Sequence, residues 1–257
     1  MVVLGGEMAL RRFWIEKEEM GGDEFVISGD LFHHLIDVCR LKEGYAFELL
    51  PGDGSAYLVE ITKIEKKSLL VLRKGERALP PLPKPHIHLL VSLPRLPKMD
   101  FILEKSVELG VKTLTPFVSD FSFLRKLSDI SENRKARWEK VVKGATRQCG
   151  RGDLMEVAEV TSLKSLLKDF NQNPARVGLF PFEGEGAMTF KEALRSAKVG
   201  ESEEVCVFIG SEGGFSEEEV KAFRAHQMAP LTLGDQVLRV ETACVAVAAI
   251  LKYELSL

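Results

Sequence analysis

The chain has 257 residues, 45% of them hydrophobic and 28% charged, with a formal net charge of -3. That composition supports a folded core in one large domain or two ordinary ones, and the near-neutral balance excludes a global basic field advertising nucleic acid. No apolar run approaches the roughly 20 residues that span a bilayer and no signal-peptide pattern opens the chain. The four cysteines (Cys39, Cys149, Cys206, Cys244) are scattered without metal spacing, which points to reduced thiols in a cytoplasmic protein.

In chain order, residues 1–77 read as a small β-rich domain. The runs "YAFELL", "AYLVEI" and "SLLVLR" are strand-like and are split by turn signals such as "PGDG" from Pro51 to Gly54. One helix is expected over "GDLFHHLIDVCR", with Asp30 as its N-cap. "ALPPLPKP", residues 78–85, holds four prolines and reads as a linker, because proline fixes φ and removes a donor. Across 86–257 strand-like and helix-like segments alternate. Strands are expected at "HIHLLVSL", "KTLTPFV", "RVGLFPF", "EVCVFIG" and "PLTLG", the last ending at Gly234. Helices are expected to begin near Met99, Ser131, Ser162, Thr189, Ser216 and Glu241. This alternation predicts an α/β domain with a mostly parallel sheet.

"VCVFIGSEGGFSEEEV", from Val205 to Val220, is the most informative stretch. A strand–glycine–helix turn often binds phosphate, but this one lacks a phosphate-loop lysine. Ser216 and Glu219 form a capping box that already satisfies helix-end donors. Glu217, Glu218 and Glu219 would repel a phosphate, and no Lys or Arg occurs from Gly200 to Val220. A ligand at Gly210, Gly213 and Gly214 is therefore neutral or cationic, such as adenosine carrying a sulfonium amino acid; a tight turn without ligand is the other reading. Downstream, "LTLGDQVLRVETACVAVAAILKYEL" places a loop before a last helix that is apolar around most of its circumference from about Thr242, a residue that suits a cap. Such a helix suits burial and close packing against another subunit. Arg239 and Glu241 lie between two buried elements, either as a site or as a local ion pair.

"IGSEGGFSEEE" followed by "LGDQVLRVETA" resembles the paired C-terminal motifs of the SPOUT (α/β-knot) RNA methyltransferases, and most closely the 16S ribosomal RNA uracil-1498 N3-methyltransferase family, the RsmE type. "KMDFILEKSVELGV", "RQCGR", "RRFWI", "HHLIDVCRLKEG" and "PGDG" resemble further segments of that family, so the likeness runs from about Arg11 to the C-terminus. It departs at Ser211, where the family has Pro, at Asp235 and Gln236, where it has Pro-Arg, and at Arg147, where it has Glu. The Gln236 departure removes a cation beside the site.

The resemblance implies a trefoil-knotted C-terminal domain, a PUA-like N-terminal β-barrel, a homodimer built on the C-terminal helix, and S-adenosylmethionine bound by three loops. Carried over, those loops supply Leu179, Phe180 and Pro181; Ile209, Gly210, Glu212, Gly213 and Gly214; and Leu233, Gly234, Val237, Leu238 and Arg239. Arg239 is the expected stabiliser of the developing anion, and Glu212 or Glu241 the expected general base. The implied partner is 16S rRNA in the small ribosomal subunit, contacted by Arg11, Arg12, Arg40, Lys98, Arg147 and Arg151.

Two local basic runs favour this: nine Lys/Arg against three acids from Arg125 to Arg151, and six against two from Lys63 to Arg77. Phe121 and Phe123 are candidates for base stacking, with core packing favoured. His33 and His34 read as structural, and no metal is expected. Two other readings stand beside this one: a SPOUT enzyme acting on another RNA such as tRNA, and a non-catalytic RNA-binding protein that keeps the fold.

Overall fold

A computed structural model describes residues 10–124 and 130–257. Arg125 and Lys126, counted in the first basic run, lie outside the described residues. The chain divides into two compact units, one comprising residues up to Pro81 together with Thr146–Leu154, the other Leu82–Ala145 with Met155–Leu257.

The first unit is built on a five-stranded sheet of β1 (Arg12–Trp14), β2 (Glu24–Ser28), β3 (Ala46–Leu50), β4 (Ser55–Ile64) and β5 (Ser68–Ala78), in the order β1-β3-β4-β5-β2. β1 runs parallel to β3 and the remaining pairs are antiparallel. Alternating side chains of β4 and β5 face a core of Phe13, Phe47, Leu49, Val59, Ile61, Leu69 and Val71, as expected for a sheet with one covered face. The expected helix starts at Gly29, so Ser28 holds the N-cap position and Asp30 lies inside the first turn. This α1 (Gly29–His33) lasts five residues before widening into a π-helical turn over His34–Val38, and Arg40 closes it at φ 55°.

The second unit carries a parallel sheet of β6 (His86–Ser92), β7 (Thr113–Val118), β8 (Glu156–Val157), β9 (Thr161–Ser162), β10 (Arg176–Pro181), β11 (Glu204–Ile209) and β12 (Ala229–Leu231). The order is β12-β10-β11-β6-β7-β8, with β9 also pairing β7. β11 is the apolar run "VCVFI", wholly buried between β10 and β6, as a strand covered on both faces should be. β12 ends at Leu231 and not at Gly234, because Thr232 Oγ1 accepts the amide of Gly234 at 3.1 Å and turns the chain.

The helices are α2 (Leu96–Glu108), α3 (Glu132–Cys149), α4 (Leu163–Phe170), α5 (Phe190–Ser196), α6 (Glu217–Ala225) and α7 (Val240–Leu255). α2 begins three positions before Met99, with Pro97 in its first turn, where a missing N–H costs nothing. α4, α5 and α6 begin where expected, with Ser162, Thr189 and Ser216 as their N-caps, the last of these the expected capping residue. α7 starts at Val240, so Thr242 is an exposed first-turn residue and not a cap. Val240, Ala243, Cys244, Val247, Ala248 and Leu251 form its buried face, packed on α2, β6 and β11. The opposite face is less covered than an all-round apolar helix suggests; Tyr253 is 83% exposed. Beneath the strand ends lies an aromatic core in which the Phe180 and Phe223 rings stack at 4.8 Å and Phe208 and Phe215 pack on Phe223.

Candidate functional site

In a parallel sheet, ligand crevices open at the carboxyl ends of strands where the strand order reverses. Here β10, β11 and β12 all end on one side, and the chain crosses from the β8 edge to β10 on the other half of the sheet, so the strand order reverses where β11 lies beside β6. The segments that follow them enclose a cleft of about 350 Å³ lined by Pro181–Gly184, Ile209–Phe215, Leu233, Val237, Leu238, Val240 and Ala243. Of the residues expected at a cofactor, Pro181, Ile209, Gly210, Glu212, Gly213, Gly214, Leu233, Val237 and Leu238 line it. Leu179 and Phe180 are fully buried below it and do not. Gly234 and Arg239 flank it, both exposed. Glu183, Gly184 and Phe215 also line it; sequence reasoning missed them, although they directly follow the loops it named. A larger cavity of about 730 Å³ lies between α4 and α6, away from these loops.

The glycine loop is shaped by its own packing. A Cβ on Gly210 would stand 3.0 Å from the carbonyl carbon of Gly214, because the loop doubles back; Gly214 adopts φ 71°. Its amide donates to Ser211 O at 2.9 Å. Ser211 is buried, and its hydroxyl accepts from Gly213 N at 3.4 Å. The helix after the loop is sealed as expected: Ser216 Oγ accepts from Glu219 N, while Glu219 accepts from the amides of Ser216 and Asp120, both at 2.9 Å. These amides are therefore occupied and offer nothing to an anion.

Lys98 enters from α2. Its Nζ lies 2.7 Å from Glu212 Oε1 and 3.3 Å from Glu241 Oε2. The hydrogen bond from Lys98 holds the Glu212 carboxyl below the usual range, and the same bond raises the lysine. Glu241 Oε2 is a buried atom held by Lys98 at ion-pair distance, the longer of the lysine's two contacts. Arg239 holds the N-cap position of α7 and makes no ion pair among the described residues.

The expected RNA-binding cations are placed unevenly. Arg11 and Arg40 are exposed, Arg11 donating to Cys39 O at 3.3 Å. Arg12 and Arg77 both grip the buried Glu48, at 3.0 and 2.7 Å, and the Arg77 hydrogen bond chiefly lowers that carboxyl. Arg147 is half-buried, close enough to His34 to add to the lowering that burial imposes on that imidazole. Arg151 is clamped on Asp153 at 3.1 and 3.2 Å with its side chain only 7% exposed, so it turns no open face to a phosphate. In the basic runs Lys63, Lys74, Lys135 and Arg137 likewise pair with Glu65, Glu60, Glu159 and Asp100. Phe121 and Phe123, expected in the core, are 48% and 52% exposed.

A family model described as "RNA methyltransferase domain" matches residues 80–252, and one described as "RNA methyltransferase PUA domain" matches 27–72. The chain belongs to this RNA methyltransferase family. Among its relatives, Ribosomal RNA small subunit methyltransferase E of Helicobacter pylori is 32% identical over 87% of this chain and 92% of its own. The Bacillus subtilis protein of the same name is 27% identical over 96% and 98%. The family's fold is also shared with a crystal structure of Ribosomal RNA small subunit methyltransferase E from Neisseria gonorrhoeae bound to S-adenosyl methionine. That structure is 25% identical and has a TM-score of 0.83, covering 95% of this chain and 98% of that one. No described helix of this family member is long and apolar enough to cross a membrane.

Proposed function

We propose that this cytoplasmic enzyme methylates small-subunit ribosomal RNA from S-adenosylmethionine held in the cleft, with N3 of a uridine as the acceptor. The observation that carries the reading is the charge of the cleft: Glu183 and Glu212 line it and, among the described residues, no Lys or Arg does. That lining favours a cationic sulfonium and repels a nucleoside phosphate. Its volume lies within the range of small-molecule sites. S-adenosylmethionine, when bound, supplies an electrophilic methyl group.

The chain's own residues supply the rest. The Ile209–Gly214 and Leu233–Leu238 loops hold and orient, and the apolar Phe182, Phe215 and Val240 exclude water. Lys98 holds Glu212 at 2.7 Å and Glu241 at the longer 3.3 Å, so Glu241, the more loosely held carboxylate, is the better acceptor for the N3 proton. Arg239, exposed and unpaired among the described residues, stabilises the negative charge that develops on the base. The reading includes the trefoil knot, a closed PUA-like barrel in the first unit, phosphate contacts from Arg11, Arg12, Arg40 and Arg147, and a second copy packed against the uncovered face of α7.

Isothermal titration tests the cofactor directly. S-adenosylmethionine binds and ATP does not; preferential ATP binding would remove the reading.

A further inference from the structure

We infer that Phe121 and Phe123, with Arg95, form a stacking platform for a nucleobase of single-stranded RNA beside the target nucleotide. The inference rests on the reading of the protein as an RNA methyltransferase and names a contact within it. The segment Ser119–Phe123 reads SDFSF. In a chain folding on local hydrophobicity the phenylalanines would turn inward and the serines outward. The structure inverts this: Ser119 and Ser122 are buried, and both rings are about half exposed.

The inversion is held by specific bonds. Ser92 Oγ, itself fully buried, lies 2.6 Å from Ser119 Oγ and 2.8 Å from Ser122 Oγ. Ser119 N donates to Ser122 Oγ at 2.7 Å, Asp120 N to Glu219 at 2.9 Å, and Phe123 N to Leu93 O at 3.2 Å. Three buried hydroxyls and three amides thus fix a short segment whose apolar side chains face outward, so the aromatic surface is preorganised and its exposure is not a consequence of looseness.

Its place and charge identify the partner. Phe121 rests on the glycine loop: a Cβ on Gly213 would stand 3.2 Å from Phe121 Cβ. The other side of that loop lines the cleft. The Arg95 guanidinium lies 5.1 Å from the Phe123 ring centroid, and its charge also acts on Glu212. Exposed aromatic rings beside a cation suit a ligand that is aromatic and anionic together, which is a nucleotide: the base stacks on the rings and the phosphate meets Arg95. A second protein copy with an apolar face would instead leave that guanidinium desolvated without a carboxylate, which is unfavourable.

The test measures methyl transfer from labelled S-adenosylmethionine to unmethylated small ribosomal subunits. Phe123→Ala should raise KM for the subunits ~10-fold, and Phe121→Ala with Phe123→Ala more, because both rings contribute to the one stacking surface. Affinity for S-adenosylmethionine and the unfolding midpoint should stay at wild-type values for Phe123→Ala, and Phe123→Trp should keep the wild-type KM. An unchanged KM in active Phe123→Ala protein overturns the inference alone. A raised KM accompanied by a change in sedimenting mass overturns it too, because the patch is then a subunit interface. No transfer by the wild-type protein overturns the functional reading and the inference with it.

Discussion

Lys98 on α2 and Glu212 in the glycine loop, 114 positions apart in the chain, meet at 2.7 Å and tie the cleft wall to a helix none of whose described residues lines it. The same lysine lies 3.3 Å from Glu241, so one cation governs both candidate bases. Replacing it with methionine keeps the stem and deletes the charge. Lys98→Met leaves Glu212 uncompensated at the cleft and should therefore tighten binding of the cationic S-adenosylmethionine, by roughly 3–10-fold. Calorimetric titration of the variant against wild type checks this.

Arg239→Ala separates binding from chemistry. The residue caps the α7 position without a side-chain bond and does not line the cleft. Its removal should leave S-adenosylmethionine affinity unchanged and lower turnover ~100-fold, the scale of one lost charge-stabilising donor. Wild-type turnover in a labelled-transfer assay would remove it from the mechanism.

Much of this arrangement was legible in the sequence because it is local. The Ser216–Glu219 box, the strand–loop boundaries at Pro181 and Ile209, and the continuous apolar run of β11 each follow from a few neighbouring residues. What was missed depends on distant partners. Lys98 was expected among the RNA-contacting cations, because nothing near it in sequence announces Glu212 or Glu241. Phe121 and Phe123 were favoured for the core because the partners that turn the segment over, Ser92 and Glu219, lie 27 residues before Ser119 and 99 residues after Asp120. Arg151 was the exception: Asp153 stands two positions away, and that local signal of pairing was available.

Gly214 is required by its backbone. At φ 71° an L side chain is strained, so Gly214→Ala should cost ~1–2 kcal/mol. Urea unfolding measures the loss, and a midpoint equal to wild type would show that the loop relaxes.

His88 on β6 predicts an acid limb in the stability curve. Burial lowers its proton affinity from the ordinary 6.5 to about 4, with Glu204 opposing and Arg176, His86 and Lys112 adding to the shift, and its Nε2 has no partner. The unfolded chain therefore holds the proton more tightly than the folded one. Stability is complete above pH 6.5 and declines as pH falls towards 4, by up to ~3 kcal/mol from this group. His88→Leu should flatten that decline, read as urea midpoints at pH 4.5 and 7.5 as chosen conditions, roughly bracketing the shift. An equal slope in both proteins would assign the acid limb elsewhere.

The central claim is a methyl transfer, and mass spectrometry tests it most directly. The protein is incubated with methyl-labelled S-adenosylmethionine and unmethylated small ribosomal subunits, and the labelled nucleotide is mapped. The account predicts label on one uridine as 3-methyluridine. Bound cofactor with no label on the subunit RNA would contradict it and direct attention to Gln236 in the loop between Leu233 and Val237.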